Sequence, residues 1–172
     1  MTGPARDGIL RLVNAVRPAS SPADWDLGRA LFREYERDID AACCFEGFEK
    51  ELRNLETLYA PPEGRLLLAY HGGEPAGCGA FRRIDGGAVE GRRLFLRPAF
   101  RGAGLGGALL LALLDEARRL GFRAFRLETL PGKMSAALAL YRQLGFVDIP
   151  PYVRRPIAGA AYMELPLSPP RG

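Results

Sequence analysis

The stretch from Leu96 to Leu110 contains residues whose types and spacing are suited to binding phosphate groups. Arg101 is followed by four closely spaced glycines, which are Gly102, Gly104, Gly106 and Gly107. Each glycine costs a helix about 1 kcal/mol relative to alanine, so four of them at a helix start require a reason. The first N–H groups of a helix lack partners within it and carry the positive end of its dipole, so small residues there let an anion reach them. The pattern Arg-x-x-Gly-x-Gly therefore predicts an anion site, to which Arg97 adds charge.

Two other interpretations of these glycines stay open at this point. Gly102-x-Gly104-x-x-Gly107, with Glu128 at the end of the next strand, formally matches a dinucleotide-binding fingerprint. However, residues 98–101 stand where that fingerprint needs an almost immediate turn, and hairpin-like strands precede it. A tight packing corner between helix and strand would also use glycines, but it leaves the arginine unexplained. The chain has no GxxxxGK[ST] sequence, which excludes a P-loop.

Cysteine and histidine are too few and too scattered for the usual metal chemistry. The chain has three cysteines, Cys43, Cys44 and Cys78, and one histidine, His71, with no CxxC pair. No partnered histidine is available to activate a thiol nucleophile. We therefore expect reduced structural thiols and no metal ion.

Composition favours an ordinary globular protein. The 172 residues are 48% hydrophobic and 26% charged, with a formal net charge of +4. This charge is not gathered into a basic stripe with interleaved aromatic residues, so we expect no nucleic-acid partner. No apolar run reaches the roughly 18 residues of a membrane helix, and the first residues lack a signal-peptide core. The sequence thus predicts a cytoplasmic protein without a membrane partner.

Hydrophobic periodicity predicts an α/β protein with the order β-α-α-β-β-β-α-β-α-β-β. The predicted strands are 9–18, 66–70, 76–84, 85–98, 122–130, 146–149 and 160–167, and the predicted helices are 21–39, 46–59, 104–121 and 133–145. A hairpin region joined to a β-α-β crossover implies a mixed sheet with helices on both faces. We expect one domain over residues 1–172, with a frayed tail at 168–172.

Two motifs make the sequence recognisable. "EGRRLFLRPAFRGAGLGGALL" resembles the coenzyme A motif of the GNAT superfamily of N-acetyltransferases. "RLETLPGKMSAALALYRQLGF" resembles the next strand and helix of that superfamily, and "IPPYVRRPIAGAAYMEL" is similar to the C-terminal hairpin of one bacterial branch. The resemblance covers residues 62–167 well, with the cofactor motif at about 90–146, and covers the first sixty residues only by element order.

The resemblance implies acetyl-CoA as the co-substrate and a splayed sheet that receives it. Strand 93–97 should part from strand 125–130, and the Leu96 N–H should hold the thioester oxygen. The implied cofactor-binding residues are Phe95, Leu96, Arg97, Arg101, Gly102, Ala103, Gly104, Leu105, Gly106, Gly107 and Met134. Met134 is a departure, since many family members carry an asparagine there.

The implied chemistry is direct attack of a primary amine on the thioester in a ternary complex. A lysine-like amine has to lose a proton first, and Glu90 is the candidate base, through water if needed. The resemblance places the general acid at Tyr141, whose phenol would protonate the leaving thiolate.

The acceptor itself is not identified by the sequence. We expect a small-molecule or peptide amine, contacted by Phe32, Tyr35, Thr129 and Tyr152, and a monomer or homodimer. Two alternatives stay open, namely a non-catalytic module that senses acyl-CoA and a nicotinamide-dependent oxidoreductase.

Overall fold

The structure is a computed structural model that describes residues 14–168, apart from the side chain of Cys43. Its strands are β1 (Asn14–Pro18), β2 (Gly64–His71), β3 (Glu74–Arg83), β4 (Ala88–Leu96), β5 (Ala124–Thr129), β6 (Val147–Ile149) and β7 (Ala161–Pro166). Its α-helices are α1 (Pro22–Ile39), α2 (Phe48–Arg53), α3 (Leu55–Tyr59), α4 (Leu105–Arg119) and α5 (Ser135–Gln143), and short 3-10 helices span Ala42–Phe45 and Pro98–Phe100. Residues 9–13 of the predicted first strand and residues 169–172 of the predicted tail lie outside the described residues, and the single domain stays a prediction.

The strands form one mixed sheet in the order β1-β2-β3-β4-β5-β7-β6. Neighbouring strands are antiparallel except β4 and β5, which are parallel and are connected through α4. A parallel pair needs such a crossover, because its second strand has to start again at the same end of the sheet. The predicted α/β class with a mixed sheet is confirmed.

Two hydrophobic cores lie on opposite faces of the sheet. The first contains Leu109, Leu113 and other residues of α4, packed against Phe125 and Leu127 of β5. The second is contributed by α1, α2 and α3 and by the other face of β2, β3 and β4. The helices therefore cover both faces, as the predicted order requires.

The helix predicted over residues 46–59 is in fact two short helices. The break falls at Asn54, whose side-chain amide donates to the carbonyl of Lys50 at 2.8 Å. Asparagine often competes with helical hydrogen bonds in this way. The predicted start of α1 is confirmed, because the Ser21 hydroxyl caps it and Asp24 completes a capping box.

The sheet parts between β4 and β5. Only Ala88, Val89 and Glu90 pair with β5, and the pairing ends at Glu90 opposite Arg126. At the next position the Phe125 ring fills the space in which a side chain at Gly91 would lie. Beyond Glu90 the edges of the two strands face a gap.

A bulge in β4 follows the point of divergence. Cys78 pairs with Phe95 and Ala80 pairs with Arg92, so Arg93 and Leu94 together oppose Gly79. Arg93 has a φ of 57°, an uncommon conformation for a side-chain-bearing residue. Bulges bend a strand and increase its twist, which here directs the end of β4 away from β5.

Candidate active site

A cavity of about 830 Å³ occupies the gap between β4 and β5. Its volume falls within the range of about 300–1,000 Å³ that is usual for ligand sites. Arg101, Gly102, Gly104 and Gly106 line one end, which we call the helix end. Arg82, Glu90, Arg126 and Tyr152 line the other, which we call the sheet end. Tyr141 lines the same cavity.

The helix end presents the backbone at the start of α4. Gly102 and Gly104 have φ values of 86° and 77°, a conformation that favours glycine, and Gly104 is the N-cap residue. No side chain caps this helix. The N–H groups of its first turn, beginning at Leu105, therefore remain available to an anion.

The other predicted residues of this loop are placed differently. The side chain of Leu105 is buried in the first core. Ala103 is exposed, and its carbonyl accepts a hydrogen bond from the Asn14 side chain at 3.3 Å. Gly107 lies in the first turn of α4 but is not among the lining residues. Any part that these three play at the anion site would come from their backbone.

Leu96 directs its backbone towards the gap. The Arg97 N–H donates to the Ala76 carbonyl at 2.8 Å. Antiparallel residues alternate between hydrogen-bonded and non-hydrogen-bonded pairs, so the N–H and C=O of the preceding Leu96 point away from β3. The Leu96 carbonyl accepts a hydrogen bond from Arg101 Nε at 3.0 Å, which agrees with this orientation.

Arg97 does not reach the cavity. Its guanidinium binds both carboxylate oxygens of Glu34, at 2.9 and 2.8 Å, and also donates to the Pro75 carbonyl. The hydrogen bonds from Arg97 hold the pKa of Glu34 below its ordinary value. The expected contribution of Arg97 to phosphate binding is therefore not supported, because both its amide and its side chain are used within the protein.

Two cations flank the helix end. Arg101 reaches the carboxylate of Asp38 at 2.8 Å, and the Lys133 amine donates to the carbonyl of Asp40 at 2.7 Å. Both side chains line the cavity. Lys133 was not predicted, although it is one of only two lysines in the chain and immediately precedes the second motif helix.

Tyr141 is buried between the cavity and the first core. Its ring packs against Phe146 with 5.6 Å between ring centroids. Burial raises the pKa of the Tyr141 phenol well above its ordinary value. Burial thus favours the protonated phenol, which is the form that can donate a hydrogen bond to a group in the cavity.

The remaining predicted contacts divide between cavity and core. Tyr35 and Phe95 line the cavity and stack with 5.5 Å between their centroids. Met134 also lines it, and its Sδ atom accepts a hydrogen bond from Thr129 Oγ1 at 3.6 Å. Thr129 is 1% exposed and does not line the cavity, and Phe32 is fully buried in the second core. We therefore withdraw Phe32 and Thr129 as acceptor contacts.

Glu90 is buried at the point where the strands part. Its Oε1 accepts a hydrogen bond from Arg92 Nη1 at 3.1 Å, and Arg82 Nη2 lies 3.9 Å away. The nearby Tyr152 hydroxyl is buried and has no hydrogen-bond partner among the described residues. Burial and then the Glu90 carboxylate raise the pKa of Tyr152. The sheet end thus combines a candidate base with an unsatisfied hydroxyl.

The Cys78 thiol is not an activated nucleophile. Cys78 is buried, donates to the Arg93 carbonyl at 3.5 Å, and has its pKa raised by burial. Cys44 lines the cavity, and its carbonyl accepts a hydrogen bond from Arg93. Within residues 14–168, no cluster of three or more metal-ligating side chains was found. Over the same range, no helix is both long and apolar enough to cross a bilayer.

The geometry disfavours the dinucleotide interpretation. The 3-10 helix Pro98–Phe100 separates β4 from the glycines, whereas the fingerprint needs a tight turn straight into the helix. The sheet is also predominantly antiparallel rather than doubly wound. The cavity lies between diverging strands, with anion donors at one end and titratable groups at the other.

Comparison with known proteins agrees with this architecture. An N-acetyltransferase of Schizosaccharomyces pombe that is itself uncharacterised is 34% identical over 149 residues, covering 86% of this chain and 91% of the relative. A protein named IAA acetyltransferase from Azospirillum brasilense is 41% identical over 121 residues, covering 67% and 76%.

Solved structures show the same fold. An acetyltransferase of the GNAT family from Staphylococcus aureus has a TM-score of 0.75 at 15% identity, over 91% of this chain and 100% of that one. A phosphinothricin acetyltransferase from Sinorhizobium meliloti, solved with acetyl-CoA, has a TM-score of 0.69 at 23% identity, over 91% and 89%. Residues 28–146, which are more than half of the chain, match the family described as "Acetyltransferase (GNAT) family". The chain therefore belongs to the GNAT family of acetyltransferases, and it is an N-acetyltransferase by its relatives and its fold.

Proposed function

We propose that the protein transfers the acetyl group of acetyl-CoA to the primary amine of a small molecule, by direct attack in a ternary complex. The observation that carries this proposal is the position of Leu96. Its N–H faces the gap between β4 and β5, within the cavity that also contains the uncapped start of α4, Glu90 and Tyr141.

The helix end supplies donors for the pyrophosphate of the coenzyme. The first-turn N–H groups of α4 bind the phosphate oxygens, and Lys133 and Arg101 add positive charge. Arg101 Nε has to leave the Leu96 carbonyl before the pantetheine arm can pair with the edge of β4. The acetyl-CoA in the Sinorhizobium meliloti relative supports this choice of donor.

The sheet end prepares the amine. An amine with a pKa near 10.4 is about three units too basic to be neutral at pH 7, which costs about 4 kcal/mol. Glu90 accepts the proton that the amine loses, directly or through one water molecule. Arg92, bound to Glu90 at 3.1 Å, fixes the orientation of the carboxylate.

Leu96 and Tyr141 act on the reacting thioester. The nitrogen–carbon bond forms while the Leu96 N–H stabilises the negative charge on the carbonyl oxygen. The carbon–sulfur bond then breaks, and Tyr141 donates its proton to the departing thiolate. A phenol has an ordinary pKa of about 10, so its proton is present near neutral pH when the thiolate leaves.

The test is a calorimetric titration with acetyl-CoA, followed by a thiol-release assay with amino acids, polyamines, aminoglycosides and peptides. We expect binding of acetyl-CoA in preference to NAD, and thiol release that depends on an amine whose acetylated product appears in the mass spectrum.

Binding without release across the whole amine panel would instead favour the non-catalytic acyl-CoA sensor. Tighter binding of NAD than of acetyl-CoA would favour the oxidoreductase. Glu90→Gln provides a matched variant, since it keeps the size of the side chain and removes its capacity to accept the proton.

A further inference from the structure

The sheet end carries a row of alternating charges across four strands. Arg82 of β3 pairs with Glu90 of β4, Glu90 with Arg126 of β5, and Arg126 with Glu164 of β7. Residues paired directly across strands share one face of a sheet. The row therefore presents positive and negative groups in turn on the face that continues into the cavity.

Most charges in this row already have close partners. Arg126 binds Glu164 at 2.7 Å and Asp85 at 3.0 Å. Glu90 is held by Arg92. Arg126 is therefore neutralised inside the protein, and Arg92 orients the Glu90 carboxylate.

Arg82 forms a longer ion pair than Arg126 does. Within residues 14–168 its one ion-pair contact is the 3.9 Å approach to Glu90, and its side chain is 35% exposed and lines the cavity. The adjacent Arg83 provides a contrast. It binds Glu63 at 3.0 Å and lies over the Phe122 ring, on the opposite side of β3. Of these two arginines, only Arg82 offers its guanidinium to a ligand.

Arg82 favours an anionic ligand group, whereas two other polar groups of the cavity favour a ligand group that donates hydrogen bonds. Glu128 lines the cavity beside the Tyr162 hydroxyl and forms no salt bridge within the described part of the chain. The Tyr152 hydroxyl is buried beside Glu90 and Glu128, and no hydrogen bond of ordinary geometry satisfies it among the described residues. An unsatisfied buried hydroxyl is costly, and a ligand amine would supply the missing hydrogen bond.

From these groups we infer that the acceptor is an α-amino acid, with its carboxylate bound by Arg82 and its amine held by Glu90, Glu128 and the Tyr152 hydroxyl. This inference rests on the proposed function and specifies its acceptor. The charges of Arg82 and Glu90 lie 3.9 Å apart. An α-amino acid has its amine and carboxylate separated by a single carbon atom, so it matches two opposite charges this close together. A diamine is disfavoured, because its second ammonium group would be repelled by the positive charges of Arg82, Arg92 and Arg126.

The test compares the common L-amino acids with their carboxamides, each pair sharing one side chain. For the best pair we expect kcat/KM at least about tenfold higher for the acid than for the amide, because a site built for a charged group rejects the analogue that lacks it. Arg82→Gln should abolish this preference, and Arg83→Gln should retain it. Calorimetric titration of the acid and the amide into the protein–CoA complex should show the same difference in affinity without turnover.

The outcomes separate this inference from the proposed function. Equal kcat/KM for acids and amides, or a preference that survives Arg82→Gln, would overturn the amino-acid acceptor and leave acetyl transfer to other amines standing. Absence of thiol release with any amine would overturn both. Thermal unfolding shows whether both variants are folded. We expect that they are, because the side chains of Arg82 and Arg83 are 35% and 38% exposed.

Discussion

The two ends of the cavity are built from different parts of the chain. The helix end presents mainly backbone donors at the start of α4, and the Leu96 amide lies only nine residues before Leu105 in the chain. The sheet end consists of side chains from β3, β4, β5 and the loop before β7. Backbone donors are the same whatever the side chains, whereas each contact at the sheet end depends on one residue type. The comparison suggests that the donor is set by conformation and the acceptor by a few replaceable side chains.

Tyr141→Phe tests whether the two ends meet in one reaction. The substitution removes only the phenol oxygen, so we expect turnover to fall about 100-fold while the dissociation constant of acetyl-CoA changes less than about twofold. Steady-state kinetics and calorimetry measure the two effects. Tyr70→Phe, on β2 outside the cavity, is the control. Wild-type turnover in Tyr141→Phe would remove the phenol from the mechanism.

Gly106→Val tests the backbone nature of the helix end. Gly106 lacks the positive φ of Gly104, and a Cβ there would be only 3.5 Å from Leu96, an ordinary contact. The protein can therefore accept the side chain, but a phosphate cannot approach past it. We expect at least a tenfold weaker binding of acetyl-CoA by calorimetry.

The same substitution at Gly86, in the β3–β4 loop where a Cβ meets no other atom, should leave that affinity unchanged. Equal affinities for the two variants would contradict a backbone site at the start of α4.

Tyr152→Phe tests the side-chain nature of the sheet end. Because the hydroxyl is buried without a partner, its removal should leave the free energy of unfolding unchanged or raise it by about 1 kcal/mol. The acceptor kcat/KM should fall about five- to tenfold, since the amine loses a hydrogen bond. Urea unfolding and acceptor kinetics give the two values. A destabilised variant with normal kinetics would show that the hydroxyl is structural.

Glu34→Gln should have the smallest effect. It tests whether Arg97 takes part in binding acetyl-CoA. Arg97 keeps the pKa of Glu34 below 4.5 in the folded protein, so the ion pair stabilises fully above that pH and its contribution is lost as the pH falls further. We expect the substitution to lower the free energy of unfolding at pH 7 by about 1 kcal/mol or less and to weaken its dependence on acid pH.

Binding of acetyl-CoA by Glu34→Gln should stay within about twofold of the wild-type value. Chemical unfolding at several pH values, with Glu56→Gln on the exposed side of α3 as control, measures the stability. A large loss of acetyl-CoA affinity would return Arg97 to the cofactor site.

The sequence predicted the helix end better than the sheet end, and the reason is physical. The glycines and Arg101 are neighbours along the chain, so their spacing alone indicates a helix start open to anions. Arg82, Glu90 and Arg126 meet only through strand pairing, which no local pattern encodes. Periodicity also cannot distinguish an aromatic residue that faces a cavity from one that faces a core, which is why Phe32 was misplaced. The ion pair of Arg97 was not foreseen, because its partner, Glu34, is 63 residues away in the sequence.

The bulge at Arg93 changes which residues of β4 face each side of the sheet: even-numbered residues before it, and odd-numbered residues after it, lie on the same face. Before it, even-numbered residues such as Glu90 and Arg92 share the face of Ala80; after it, Phe95 joins that face, whereas Leu94 and Leu96 pack against the other core. Deleting one residue from the bulge would turn Phe95 and Leu96 each towards the wrong core and rotate the Leu96 amide out of the gap. Insertion or deletion of a single residue within this strand would therefore disrupt the packing on both faces and the orientation of the amide that we propose to be catalytic.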